Sequence, residues 1–155
     1  MDTSQATQLG AGYYWQDLVV GQKFKTIRRT VTESDLINFI SCTGMLEAIF
    51  VDADYDGGAI KGRPVPGALT YCIIEGFILQ TMIQKTGLAM LEVNQVIHGP
   101  VLVNDTIYAE ITVTDVRPTS SSGRAVVSSV IEVFNHRQEK VMTYTAKRLL
   151  AGRGN

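Results

Sequence analysis

Apolar residues repeat with two different periods in this chain of 155 residues, and the period changes near Leu88. Before that point two segments, Glu33–Cys42 and Ala68–Lys85, carry apolar residues at the spacing of helices. After it, apolar and polar residues alternate, which is typical of strands with one buried face. The pattern therefore predicts two helices followed by an antiparallel sheet.

Capping and turn residues set the bounds of these elements. The first helix begins at the capping-box-like sequence Thr32-Glu33-Ser34-Asp35 and stops at Gly44, and the second ends at Gly87. Residues 53–67 are rich in Gly, Pro and Asp and are predicted to form a loop. Besides the pattern that starts at Leu88, the predicted strands are Phe24–Val31, Ile107–Val113, Arg124–Phe134 and Lys140–Leu150.

The second helix decides the fold class, because it is apolar on most sides and must be buried. A curved antiparallel sheet wrapped around it would bury it, so we predict an α+β layer arrangement. Residues 1–12 are small and polar and are predicted to be a flexible tail, and residues 13–151 a single domain.

Composition excludes several classes of function. The net charge of −1 gives no field that favours nucleic acid or an anionic membrane surface. No apolar run approaches the roughly 20 residues of a membrane-spanning helix, and no secretion signal opens the chain. Cys42 and Cys72 lie among apolar residues without metal-ligand spacing, so we predict buried free thiols, no metal and a reducing, cytoplasmic location.

Four segments in a fixed order resemble the MaoC-like dehydratases. They are Asp17–Phe24, Val31–Phe39 with the following Thr43-Gly44, Pro66–Thr70 and Pro100–Ile107. That family has the hot-dog fold, a curved antiparallel sheet around a long central helix, and includes (R)-specific enoyl-CoA hydratases. The resemblance implies a homodimer that binds an acyl-CoA thioester at the edge of the dimer interface, without a further cofactor.

The resemblance breaks down at the family's catalytic segment, Thr-Gly-Asp-x-Asn-Pro-x-His-x-Asp, whose Asp and His activate a water. Aligned without gaps, Met45 stands at the Asp position and Phe50 at the His position. Neither side chain exchanges a proton, so hydration by this pair of positions is excluded. Glu47 is a possible substitute base, but no histidine lies in the segment to assist it.

Glu75 is the candidate catalytic residue, because it interrupts the apolar face of the second helix. An ionised carboxylate there is unfavourable unless it is paired, and an unpaired one would suit a general base. The alternative is a structural carboxylate bonded to Arg63 or to a second subunit.

The start of the second helix is the candidate binding site. Free N–H groups at Gly67 and Ala68 can hold a thioester oxygen, with Met45 and Phe50 beside them, although Gly67 can equally serve only a tight turn. Arg63 can meet a CoA phosphate or remain a solvated arginine. His98 and His136 are interpreted as structural and surface residues.

Three functions remain open. The first is a non-hydrating acyl-CoA-binding protein, or the inactive partner in a hetero-oligomer with an active hydratase subunit. The second is a thioesterase or lyase that uses Glu75, which an unpaired Glu75 beside an open pocket would favour. The third is a structural or regulatory dimer without a thioester ligand, which a pocket filled by Met45 and Phe50 would favour.

Overall fold

The computed structural model describes residues 5–120 and 123–154. Residues 1–4 of the predicted tail lie outside this range. The described part of that segment meets the turn that follows the long helix, where the Gly12 N–H donates to the Gln84 carbonyl at 3.0 Å. No helix among the described residues is long and apolar enough to cross a membrane.

Four helices and six strands follow one another along the described residues. The helices are a 3-10 turn at Trp15–Asp17, α1 at Glu33–Thr43, α2 at Ala48–Val51 and α3 at Gly67–Gln80. The strands are β1 at Lys23–Lys25, β2 at Arg29–Thr30, β3 at Gly87–Ile97, β4 at Thr106–Pro118, β5 at Ala125–Phe134 and β6 at Lys140–Leu150.

The strands form one antiparallel sheet in the order β1-β4-β5-β6-β3, with β2 also paired to β4. Every second residue of β5 is buried, which gives the sheet one core face. Ile131 and Tyr144 are opposite each other on that face and belong to the same core as Ile74 of α3. The predicted α+β arrangement, a sheet around a buried central helix, is therefore confirmed.

The predicted strand Phe24–Val31 is wrong in its middle, where the chain forms the two short strands β1 and β2. Thr26 separates them. Its N–H donates to the Ala109 carbonyl at 2.9 Å, while its hydroxyl oxygen accepts from the Ala109 N–H at 2.9 Å. A side chain has thus replaced a backbone carbonyl in the ladder, and regular pairing stops there.

The central helix is shorter than predicted, since α3 ends at Gln80 and not at Lys85. The Thr81 hydroxyl donates to the Phe77 carbonyl at 2.6 Å, and the Ile83 N–H reaches back five residues to Ile78 at 3.2 Å. These bonds take the carbonyls that a continuing helix needs. The short helix α2 was not predicted.

The cysteine prediction was half wrong. Both thiols are free, but Cys42 and Cys72 are exposed and not buried. Each lies on the side of its helix that faces away from the core, because the apolar neighbours in sequence turn to the other side.

The edge strand β3 is exposed on both faces, and only Val93 is partly buried. Leu91 is 54% exposed and Val96 is 57% exposed. Exposed apolar residues of this kind on a free sheet edge mark an interaction surface.

Candidate functional site

Four of the predicted site residues meet in one cleft at the start of α3. Met45 and Phe50 line it from the α1–α2 side, and Gly67 and Ala68 line it from the helix. The cleft is open to solvent and holds about 490 Å³. Leu46 and Glu47 also belong to the α1–α2 wall, and Glu47 is the one titratable side chain among the described residues that line the cleft.

Local sequence positions the α1–α2 wall. Thr32 and Asp35 form the predicted capping box of α1, and Gly44 ends the helix in the left-handed conformation with φ at 75°. The chain reverses there because glycine adopts that conformation without strain. α2 then starts at the Glu47 cap, whose carboxylate accepts from the Ala48 N–H at 3.1 Å.

The helix side of the cleft offers two unpaired backbone donors. The Pro66 carbonyl accepts from the N–H groups of Leu69 and Thr70, whereas the N–H groups of Gly67 and Ala68 have no partner among the described residues. They point out of the first turn of α3, where the helix dipole favours negative charge. A Cβ on Gly67 would lie 3.1 Å from Ile97 Cδ1, so a larger residue would crowd the end of β3.

Glu75 is buried, as predicted, but its partner is Arg148 of β6 and not Arg63. Arg148 Nη1 donates to Glu75 Oε2 at 2.8 Å, and the Tyr144 hydroxyl donates to Glu75 Oε1 at 2.7 Å. Arg148 Nη2 also donates to Oε1. Both carboxylate oxygens are therefore engaged, which opposes proton abstraction by this group.

The two tyrosines beside the buried Glu75 carboxylate have raised pKa values. Desolvation is the main cause that raises the pKa of Tyr144, and the Glu75 carboxylate adds to it. Burial also raises the pKa of Tyr71, whose ring meets the Tyr144 ring edge-on at 5.1 Å. Both hydroxyls thus remain protonated at neutral pH.

Glu75 and the Gly67 cleft are separate sites. A second cavity, of about 380 Å³, lies between α3 and the start of β3. Glu75 and Arg148 stand at one side of it, and Leu79, Leu88 and Met90 supply apolar walls. None of the residues that line the Gly67 cleft lines this cavity.

Arg63 also lies outside the cleft. Its guanidinium makes a forked contact to the Glu33 carboxylate, with Nη2 at 2.6 Å and Nε at 2.9 Å. The hydrogen bond from Arg63 lowers the pKa of Glu33. Arg63 borders a separate cavity of about 40 Å³ together with Asp52.

The two histidines lie away from the cleft. His98 Nε2 is 2.8 Å from the Thr143 hydroxyl, and His136 Nδ1 is 3.6 Å from the Asp105 carboxylate. Among the described residues, no group of three His, Cys, Asp or Glu side chains is arranged to hold a metal ion.

A sequence model of the FAS1-like, dehydratase domain region family matches residues 18–144. The chain belongs to this family. The MaoC-like family predicted from the four motifs is thereby confirmed. No curated protein sequence matches the chain significantly.

Solved structures agree on the fold of this family member. The MaoC-like dehydratase from Rhodospirillum rubrum is 22% identical, with a TM-score of 0.83 over 93% of this chain and 100% of that one. The (R)-hydratase from Pseudomonas aeruginosa is 23% identical, with a TM-score of 0.77 over 90% and 86%. A Mycobacterium tuberculosis protein with a double hot-dog fold is 18% identical, with a TM-score of 0.84 over 96% of this chain and 47% of that one. These likenesses confirm the hot-dog fold.

Sequence reasoning missed Tyr144 and Arg148 as partners of Glu75. The signal was present, because both lie on the alternate positions of β6 that carry Ala146 and Leu150 into the core. A cation at an inward-facing position of a strand needs a buried anion as its partner, and Glu75 is that anion.

Proposed function

We propose that this chain binds an acyl-CoA-type thioester in the Gly67 cleft without hydrating it. The observation that carries the proposal is one open cleft that combines two free helix N–H groups with Met45 and Phe50. The two N–H groups suit a thioester oxygen. Met45 and Phe50 stand at the positions where the hydratases that this chain resembles keep their catalytic Asp and His.

The chemistry of the cleft supports binding more than turnover. Backbone N–H groups at a helix N-terminus polarise a carbonyl oxygen, and the apolar side chains beside them take an acyl chain. Hydration also needs a base for the water proton and an acid for the α-carbon. Glu47 alone cannot play both parts in one step, and the described residues that line the cleft include no histidine.

The chain is proposed to act as a dimer, either with a second copy or as the non-hydrating partner of an active hydratase subunit. Free apolar surface on β3 and on α3 supports this assembly, with Leu79 of α3 being 50% exposed. CoA is the carrier of the ligand and not a resident cofactor.

The two rival functions find less support. A thioesterase or lyase that uses Glu75 requires a free carboxylate, whereas Glu75 is paired with Arg148 and Tyr144. A purely structural dimer requires a filled pocket, whereas Met45 is 41% exposed at an open cleft.

Ala68→Trp is expected to abolish thioester binding, because the indole would fill the cleft beside the free N–H groups. Binding of crotonyl-CoA is measured by calorimetry. Val20→Trp, at an exposed position before β1, is the matched control and is expected to bind as the wild type does. Equal affinity of both variants would show that the thioester does not bind at the Gly67 cleft.

A further inference from the structure

The cavity beside Glu75 has no part in the proposed function, although it has the features of a small-molecule site. It holds about 380 Å³, and such sites typically hold about 300–1,000 Å³. Its open side is apolar, because the exposed side chains of Leu79, Leu88 and Met90 line it. Its deep side is polar, because it is formed by Glu75 and Arg148, which are only 8% and 7% exposed. We call this space the Glu75 cavity.

The polar side of the Glu75 cavity has unused hydrogen-bond donors. Arg148 donates to Glu75 through Nη1 and Nη2, whereas no described residue accepts from its Nε. Tyr71 also lines the cavity, and its hydroxyl has no hydrogen-bond partner among the described residues. Because burial raises the pKa of this hydroxyl, it keeps its proton at neutral pH. A ligand group that fits here is therefore a hydrogen-bond acceptor.

The charges of the cavity decide which acceptor fits. Glu75 and Arg148 neutralise each other, with Arg148 Nη1 at 2.8 Å from Glu75 Oε2. A second carboxylate would lie beside the buried Glu75 charge without a cation of its own, which is unfavourable. A purely apolar group would leave the free donors of Tyr71 and Arg148 without a partner and without water, which is also unfavourable. A neutral oxygen accepts from these donors and adds no charge.

The Glu75 cavity and the Gly67 cleft lie along the same face of α3. Ala68, Tyr71 and Glu75 follow one another at the three- and four-residue spacing that places side chains on one face of a helix. Ala68 lines the cleft and Tyr71 lines the cavity, so the two spaces are about one helical turn apart. β3 runs beside the helix in the opposite direction, since its last residue, Ile97, meets the cleft and its first residues line the cavity.

We propose that the Glu75 cavity receives the far end of the acyl group, and that this acyl group carries a neutral keto or hydroxyl oxygen there. The Tyr71 hydroxyl and the Arg148 guanidinium donate to that oxygen, while the apolar side of the cavity contacts the carbons around it. The position of the thioester rests on the proposed function, whereas the choice of a neutral oxygen rests on the cavity alone.

The helix gives the length of this acyl group. Tyr71 and Glu75 follow Gly67 by four and eight residues, which is a rise of about 6 and 12 Å along α3. An extended chain advances roughly 1.2 Å per bond. The oxygen is therefore expected about five to ten bonds beyond the thioester carbon.

Two thioesters that differ by one oxygen test this choice. Calorimetry compares octanoyl-CoA with the same thioester carrying a keto group on its seventh carbon. The keto thioester is expected to bind about tenfold more tightly, because its oxygen pairs with donors that the plain chain leaves unpaired. The CoA thioester of octanedioic acid, whose free carboxylate would lie beside Glu75, is expected to bind more weakly than either. Tightest binding of this dicarboxylic thioester would overturn the choice of a neutral oxygen.

Tyr71→Phe is the decisive variant, because it removes one donor and keeps the ring that contacts Tyr144. It is expected to reduce the preference for the keto thioester by about threefold or more and to leave the affinity for octanoyl-CoA unchanged. The double variant Glu75→Met/Arg148→Met makes the cavity apolar and is expected to reverse the preference. Tyr55→Phe, an equal change at an exposed tyrosine that lines neither space, is the control and should keep the wild-type preference.

A free ketone separates this inference from the proposed function. A methyl ketone of eight carbons tests the cavity without CoA, by saturation-transfer NMR on the wild type and on Tyr71→Phe. Equal affinity of the wild type for the octanoyl and keto thioesters would overturn the inference and leave the function standing, as would a preference that Tyr71→Phe does not change. Tyr71-dependent binding of the ketone without binding of any thioester would overturn the function and leave the cavity as a site for neutral oxygenated molecules. Binding of neither kind of probe would overturn both.

Discussion

Crotonyl-CoA mixed with this protein is expected to keep its enoyl ultraviolet absorbance. The Gly67 cleft is proposed to hold the thioester, but Met45 and Phe50, which line it, cannot move a proton. Loss of a positioned acid or base lowers a rate by about 10²–10⁴-fold, and here both positions lack one. The turnover should therefore fall far below the roughly 10 per second of an ordinary enzyme.

The (R)-hydratase from Pseudomonas aeruginosa serves as the positive control in the same cuvette. Glu47→Gln is the matched variant, because it removes the one titratable side chain of the cleft lining and keeps its size. Slow hydration that disappears in this variant would assign the activity to Glu47. A wild-type turnover near about 10 per second would refute the prediction.

Arg148→Met is expected to lower the free energy of unfolding by about 3–5 kcal/mol, because it leaves Glu75 charged and buried without its cation. The double variant Glu75→Met/Arg148→Met removes both charges and should recover most of this loss, since a buried ion pair can be replaced by apolar side chains of similar volume. Adding Tyr144→Phe to the double variant also removes the hydroxyl that would have lost its acceptor.

Urea denaturation at one fixed protein concentration measures these differences, because the stability of the proposed dimer would depend on concentration. Lys147→Met is the matched control. Lys147 neighbours Arg148 on β6 but forms an exposed pair with Glu92, so its loss should change the free energy by at most about 1 kcal/mol. If Arg148→Met is no more harmful than Lys147→Met, the buried pair does not hold the sheet and α3 together.

The sequence predicted the elements that local rules determine. β6 has the predicted bounds, Lys140–Leu150, because most of its inward positions are apolar and recur at every second residue. The capping box at Thr32 and the stop at Gly44 were equally predictable, since each acts within a few residues. The breaks at Thr26 and Thr81 were not, because a hydroxyl that competes with the backbone leaves no trace in apolar periodicity.

Part of the candidate site was likewise predictable from the sequence, and part of it was not. The resemblance placed Met45, Phe50, Gly67 and Ala68 in one site, and the structure brings them together. The contact of Arg63 was not predictable, because a loop residue can turn to either side and the acid that it reaches is thirty residues earlier in the chain. The partner of Glu75 required knowing how β6 lies across α3, which depends on tertiary packing.

The open edge of β3 affects how the protein should be stored, because it is a site where aggregation can start. Eleven consecutive residues, without a proline and with a single charge, offer backbone groups to any extended chain that meets them. Dilution normally protects a protein from aggregation, but it would also dissociate the proposed dimer and leave this edge free. Precipitation should therefore begin in dilute samples, and concentrated stocks should keep longest.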